Sequence, residues 1–447
     1  MSHDKITDHG KAVIGPHGPS DRWYVLSLLS VNYFTLTLHR LIISFIQPPM
    51  IEDLQLTDTQ VGWLQPAFLL PYAVAQLFVA YLGDRYRRRS VLLASLSASV
   101  LVMAAMSTVN SFTAFVLLRV LLGVGQSASV PAIASMMADC FPPRSRSTAV
   151  SVYLISYTTG IIVAGRLGGR IADTRWWTIP LGDSTVEVAG WRMSLLIFSG
   201  IGLLVMLLLG LLLREPRRTE IDKDVGGADP AGSYMATVAS VLRVRSYLAL
   251  VVIFLLVCTI GNTRDHWLAR YFHDSLGMTL EQSGWFSTIW MQSASLAGLL
   301  LGGLWADWWA RRWLGGRAAV QLIGMALWIP SLAIIGSSHG IFLLAFAMVV
   351  FGIGQGFYIA NLWTTTFEVV PPAARATATG LLNFGATGSA LAGPVVGYLY
   401  ESKSVEDLGV VFAWLSVVPV LLVLLLALYI KVLLPRDYDG PATGGER

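Results

Sequence analysis

Long apolar stretches alternate with short polar ones along this chain. Runs such as 193–213 and 410–434 hold about 20 residues or more with at most one charge, the length a helix needs to cross about 30 Å of hydrocarbon. Read this way, the pattern predicts twelve spanning helices, at about 23–47, 60–82, 90–109, 112–138, 147–172, 193–213, 247–269, 283–306, 317–337, 340–367, 376–400 and 409–434. The expected fold class is all-α integral membrane, with twelve transmembrane helices in two six-helix pseudo-symmetric bundles.

The polar interruptions suggest the organisation. Residues 1–21, rich in His and Gly and without the apolar core of a signal peptide, read as an N-terminal tail. Residues 22–213 form a first bundle, 214–246 a linker with a short helix near 235–244, 247–435 a second bundle and 436–447 a second tail. The segment 176–191, with Pro180, Gly182, Asp183 and Gly190, reads as an ordered loop at the membrane interface, anchored by its tryptophans.

Composition agrees: 55% hydrophobic and 13% charged residues, with mean hydropathy +0.63, leave too little polar surface for a soluble protein. Most of the 31 Lys and Arg fall in alternate loops, while only Arg175, Arg192, Arg270 and Lys403 fall in the others. The positive-inside rule then places both termini in the cytoplasm. Anionic lipid of the inner leaflet accounts for the net charge of +4, so no nucleic-acid partner is implied. Cys140 and Cys258 make neither a disulfide framework nor a metal site, and no cofactor is implied. His-Glu-x-x-His, Gly-x-Ser-x-Gly and a phosphate-binding Gly-rich loop are all missing, which disfavours a membrane enzyme.

The chain repeats itself. Gly123, Gly125, Gln126, Pro142, Pro143, Arg146 and Thr148 return 229 residues later as Gly352, Gly354, Gln355, Pro371, Pro372, Arg375 and Thr377, and Asp139 returns as Glu368. Leu56-Thr57-Asp58-Thr59-Gln60-Val61-Gly62-Trp63 aligns with Met278-Thr279-Leu280-Glu281-Gln282-Ser283-Gly284-Trp285 at an offset of 222. Asp84 aligns with Asp307. Two parallel halves place a binding site between them near the midplane.

Ala80-Tyr81-Leu82-Gly83-Asp84-Arg85-Tyr86-Arg87-Arg88-Arg89 resembles the cytoplasmic loop motif of the major facilitator superfamily, and Gly303-Leu304-Trp305-Ala306-Asp307-Trp308-Trp309-Ala310-Arg311-Arg312 resembles its second copy. The resemblance implies a secondary transporter rather than an enzyme. Such loops set a helix-end carboxylate against arginines, locking one conformation and releasing another. Asp84, Arg85, Arg88, Asp139, Arg146, Asp307, Arg311, Glu368 and Arg375 are the expected gating residues.

Function should then lie in what the halves do not share. Arg40 corresponds to Thr263, Arg119 to Met348 and Arg166 to Val395. Arginine in a membrane faces a partner or an aqueous cavity, and its planar fork suits a carboxylate, sulfonate or phosphate. The alternative for Arg40 and Arg119 is structural pairing with backbone carbonyls; for Arg166, near the outer end, it is snorkelling. Tyr33 and Thr37 share a stripe with Arg40, and Gly123 and Gln126 share one with Arg119.

Asn32-Tyr33, Leu38-His39-Arg40-Leu41-Ile42-Ile43-Ser44 and Arg119-Val120-Leu121-Leu122-Gly123-Val124-Gly125-Gln126 resemble the anion:cation symporter branch, which includes sugar-acid and sialin-type transporters. That resemblance implies an organic anion held by Arg40 and Arg119. Proton-coupled members carry acids where this chain has His39 and Gln126, so His39 and Asp265 are the candidates for a titrating group, with Asp265 alternatively the counter-ion of Arg264. Tyr358, Asn361 and Asn383 are expected to complete the pocket from the second half, with Trp290 as packing.

The expected function is alternating-access transport of a small organic anion across a bacterial cytoplasmic membrane by a monomer in the lipid bilayer, with a proton or another ion as coupling partner. A weaker likeness of the spans around Asp139-Cys140-Phe141-Pro142-Pro143 to spinster-like carriers leaves export of amphipathic molecules or lysolipids as the alternative. Drug antiport is disfavoured because Gly165-Arg166-Leu167-Gly168-Gly169 lacks the Pro of the efflux pattern. A non-transporting receptor is the alternative of another class.

Overall fold

The computed structural model describes residues 19–85, 87–181, 184–215 and 231–438. The expected tails at 1–18 and 439–447, and the linker at 216–230, lie outside the described residues, as do the side chains of the gating candidates Asp84 and Arg85.

Among the described residues, ten helices are long and apolar enough to cross a membrane. Among them are α1 (Pro19–Leu41), continued by a 3-10 turn at Ile42–Phe45, α5 (Arg88–Met106), the pair α6 (Phe112–Gln126) and α7 (Ser129–Cys140), α8 (Pro143–Asp173) and α9 (Gly190–Leu212). The second half supplies α11 (Arg245–Leu276), α12 (Leu280–Ala310), α13 (Gly316–Ser337), α14 (Ile341–Phe367) and the run α17 to α19 from Leu408 to Asp437. The expected second and eleventh spans are interrupted: α3 (Asp58–Trp63) passes into α4 (Pro66–Arg85), and α15 (Arg375–Ala386) reaches α16 (Ala392–Glu401) through a 3-10 turn. Pro66 has no N–H to continue the preceding helix. Outside the spans, α2 (Gln47–Leu54) follows the α1 turn, and α10 (Ala231–Arg243) is the expected linker helix.

The segment 176–191 departs from expectation. It holds an antiparallel pair, β1 (Trp176–Leu181) and β2 (Ser184–Ala189), with Trp177 opposite Val188 and Ile179 opposite Val186. A period-two pattern turns Trp177, Ile179 and Val188 toward the protein and leaves Trp176, Thr178 and Glu187 exposed. We call this side of the molecule the hairpin face and the side holding the start of α1 the terminal face.

The two halves close on each other at the hairpin face through glycines. Gly62 lies against Gly393, and Gly165 against Gly284, so near that a Cβ on any of the four would strike the opposing backbone. Gly169 sits on the Leu280 carbonyl and Gly397 on that of Asp58 in the same way. These contacts are repeat mates: Gly62 and Asp58 return as Gly284 and Leu280 at offset 222, and Gly165 and Gly169 return as Gly393 and Gly397 at offset 228. Each interface is a Gly-x-x-x-Gly ridge, on α8 or α16, against the start of a helix from the other half.

Candidate functional site

Arg40 sits in the last turn of α1, where the helix tightens into a 3-10 turn. Its half-buried side chain lines a small cavity of about 30 Å³ with Tyr33, Thr37, Tyr72, Gln126 and Tyr157. The guanidinium lies 5.3 Å from the Phe68 ring centroid and 6.0 Å from that of Tyr72. Among the described residues no carboxylate pairs with it. Tyr33 stacks on Tyr153 at 4.3 Å and on Tyr157 at 5.6 Å, and Tyr33, Tyr72 and Tyr157 line the cavity with Arg40.

Arg119 is placed differently. It is 3% exposed, its Nε donates to the Leu64 carbonyl at 3.0 Å and its Nη1 to the Arg40 carbonyl at 3.3 Å. The guanidinium also lies 5.2 Å from the same Phe68 ring. It ties α6 to the ends of α1 and α3, and is absent from the cavity wall.

Across Tyr157 and Ile161 lies a larger cavity of about 200 Å³, walled by the second half. Arg264 on α11 reaches it, bonded through Nη2 and Nε to Asp265 Oδ1 at 2.6 and 2.9 Å and through Nη1 to Gln355 Oε1 at 2.9 Å. Tyr358 and Gln292 line the same cavity, and the remainder is largely apolar, with Phe254, Val257, Ile359 and Leu362. Among the described residues, Asp265 is the single carboxylate on its wall.

Other expected residues stand apart. His39 is fully buried with Nε2 2.9 Å from the Phe198 carbonyl on α9, away from both cavities. Asn361 bonds the carbonyls of Phe357 and Gly302, joining α14 to α12. Asn383 is exposed and outside the cavity wall, and Trp290 is 43% exposed.

At the terminal face each half has its own charged cluster. Arg88 pairs with Asp139 through Nη1 and bonds Ser135 at 2.9 Å, while its backbone N–H reaches Glu215 at 3.0 Å. In the second half Arg317 pairs with Glu368 at 2.8 Å and Asp307 at 3.3 Å. Arg311 is exposed, and the ion pairs of Asp307 and Glu368 go to Arg317 instead. Arg146 and Arg375 make matching bonds to the carbonyls eight residues before them, of Ala138 and Phe367.

The hairpin face carries bonds between halves that the sequence reading missed. Asp173, at the end of α8, accepts from the backbone N–H groups of Leu280 and Glu281 at 2.8 and 2.9 Å. Glu401, at the end of α16, accepts from the N–H of Thr59 at 2.9 Å. Each carboxylate caps the positive start of a helix from the opposite half. Asp173 and Glu401 are repeat mates at offset 228, the same offset as their glycine ridges. Arg270 pairs with Asp58 at 2.6 Å and Asp274 at 3.1 Å, and Arg166 with Glu281 at 3.3 Å. Gln47 donates to the His266 carbonyl at 2.8 Å and Gln65 to Asn262 at 3.2 Å.

Two pseudo-symmetric helical halves around a shared cavity agree with the comparison to known families, in which residues 28–394 and 271–447 match the Major Facilitator Superfamily. The chain belongs to the Major Facilitator Superfamily. It is a multi-pass membrane transporter and not an enzyme. The chain is 26% identical over 413 residues to an MFS-type efflux pump of Mycolicibacterium smegmatis, covering 90% of this chain and 89% of that one. It is 24% identical over 404 residues to a probable sulfoacetate transporter of Cupriavidus necator, covering 87% and 89%. To spinster homolog 1 of Xenopus tropicalis it is 26% identical over 245 residues, covering 54% of this chain and only 44% of the relative's length. A solved bacterial homolog of the human lysosomal transporter Spinster superposes with TM-score 0.75 at 21% identity, covering 95% of this chain and 100% of that one.

Proposed function

We propose that this transporter carries a small organic anion of the carboxylate type across the cytoplasmic membrane by alternating access, with the anionic group seated at Arg40. The observation that carries this reading is the Arg40 guanidinium, which faces a cavity within the first half, divided from the central cavity by Tyr157, with no carboxylate partner among the described residues. A cation held in a membrane protein without a counter-ion favours an anionic ligand. The hydroxyls of Tyr33, Tyr72 and Tyr157 and the amide of Gln126 supply further donors. The similarity to a protein named for sulfoacetate, another small organic anion, points the same way. Both chain ends are cytoplasmic in this reading, so the closed hairpin face is external and the proton gradient acts through Asp265.

The test is uptake of organic acids into proteoliposomes. Arg40→Ala should abolish uptake and the stabilisation of the protein by the transported acid. Near-normal uptake would overturn the reading.

The apolar wall at Phe254, Val257, Ile359 and Leu362 favours a second reading, export of amphipathic molecules, in line with the similarity to an efflux pump and to Spinster. A lysolipid that stabilises the purified protein when organic acids do not would select it.

A further inference from the structure

Each half sets an arginine and a glutamine on a cavity wall, Arg40 and Gln126 in the small first-half cavity and Arg264 and Gln355 in the central one, and of the two arginines Arg40 is the one with no carboxylate partner among the described residues. Gln126 stands with Arg40, and its repeat mate Gln355 bonds Arg264. Arg40 lies one position before Leu41, the repeat mate of Arg264 at offset 223, so the two arginines occupy adjacent levels of equivalent helices. Tyr157 lines both cavities and stands between them.

The difference is the neighbouring acid. Asp265 engages both Nε and Nη2 of Arg264, the edge that a bound carboxylate would take. The repeat mate of Asp265 is Ile42, so the first half has no equivalent carboxylate and Arg40 stays open. The duplicated architecture thus holds two anion seats, one already filled by the protein's own side chain.

We propose that Asp265 determines specificity by occupying the second seat, which limits the substrate to one anionic group and an apolar body. This rests on the anion reading above. A dianion entering the site would set its second carboxylate against that of Asp265 and compete for Arg264. The 200 Å³ beside Arg264, walled by Phe254, Val257 and Leu362, accepts an apolar body; an engineered apolar cavity of about 150 Å³ holds benzene.

The experiment compares benzoate with terephthalate, which share a ring and differ by one carboxylate, by thermal shift and by competition for uptake with full-length protein at neutral pH. Wild type should prefer benzoate. Asp265→Asn frees Arg264 and should move the preference toward terephthalate about tenfold, the value of one bidentate charged pair. Adding Arg264→Gln to Asp265→Asn should restore the wild-type preference, which general damage to the fold would not do. A wild type that takes terephthalate as well as benzoate overturns the proposal without need of any variant. So does an unchanged preference in Asp265→Asn while Arg40→Ala still abolishes binding, an outcome that leaves the anion reading standing. Binding of both acids that survives Arg40→Ala overturns the anion reading and the proposal together.

Discussion

Arg119 holds the backbone carbonyl of Arg40 through Nη1 at 3.3 Å, and both guanidiniums rest on the ring of Phe68. One arginine therefore supports the main chain that carries the other. Removing Arg119 takes a buried charged donor from the Leu64 and Arg40 carbonyls, and a hydrogen bond to a charged group is worth about 1.5–3 kcal/mol. Arg119→Ala should lower both melting temperature and transport. Arg40→Ala should remove transport with the melting temperature unchanged or raised, since it deletes an uncompensated charge. Equal melting temperatures for the two variants would show that Arg119 does not support the fold in this way.

The caps at Asp173 and Glu401 should hold the hairpin face shut. Hydrogen bonds from the hydroxyl and amide of Thr59, with one from the Thr57 hydroxyl, keep the Glu401 carboxyl below the usual glutamate range. A depressed carboxylate keeps its contribution above its ordinary pKa and loses it as pH falls through the lowered value. The cap should therefore persist as external pH falls to about 4.3, the ordinary glutamate pKa. Cys258 lines the central cavity and reports on access to it. Asp173→Asn with Glu401→Gln should increase its labelling by a membrane-impermeant thiol reagent added outside. Labelling equal to wild type would remove the caps from the gate.

Bulk at the glycine ridges acts more strongly. A Cβ on Gly165 meets the carbonyl of Gly284, which is backbone and cannot rotate away. Gly165→Val and Gly393→Val should each prevent closure at this face, raising external labelling of Cys258 and stopping turnover. Gly200 has open space around it; Gly200→Ala should transport normally.

The spans were legible because hydropathy over about 20 residues is set by the bilayer and hardly depends on neighbours. The β1–β2 hairpin was not, because Pro180 and Gly182 are strong loop signals and masked a short alternation of Trp177, Ile179, Val186 and Val188. The adjacent Arg264 and Asp265 were recognisable as an ion pair. The caps at Asp173 and Glu401 escaped notice because each pairs with a helix more than a hundred residues away, and the two partners repeat at different offsets, 228 and 222. Only the fold says which helices face each other.

Arg317 was within reach of the sequence. It follows Arg88 by the same 229 residues that separate Asp139 from Glu368, although Arg311 lies nearer to Asp307 in the sequence. The ion pairs give distinct expectations. Arg317→Ala leaves the mostly buried carboxylate of Glu368 without its partner, and should slow transport and destabilise the protein by more than 1 kcal/mol. Arg311→Ala, on an exposed side chain, should change stability by no more than about 0.5 kcal/mol. Thermal unfolding of the two variants checks this, and the reverse order would assign the second cluster to Arg311.

The proposed proton coupling requires a titratable group that meets both substrate and solvent. His39 is fully buried and bonded to the Phe198 carbonyl, with Gly202 packed against its ring, so a proton would have to enter between α1 and α9. Asp265 lies on the cavity wall and can exchange protons with whatever water the open state admits. It is paired with Arg264 at 2.6 Å and shares the cavity wall with the apolar residues that would meet a substrate. In proteoliposomes, uptake should respond to an imposed pH gradient in wild type and in His39→Gln, and should lose that response in Asp265→Asn while substrate binding persists. A flat response in His39→Gln with a normal one in Asp265→Asn would move the coupling site into the first half, among the buried polar groups of α1.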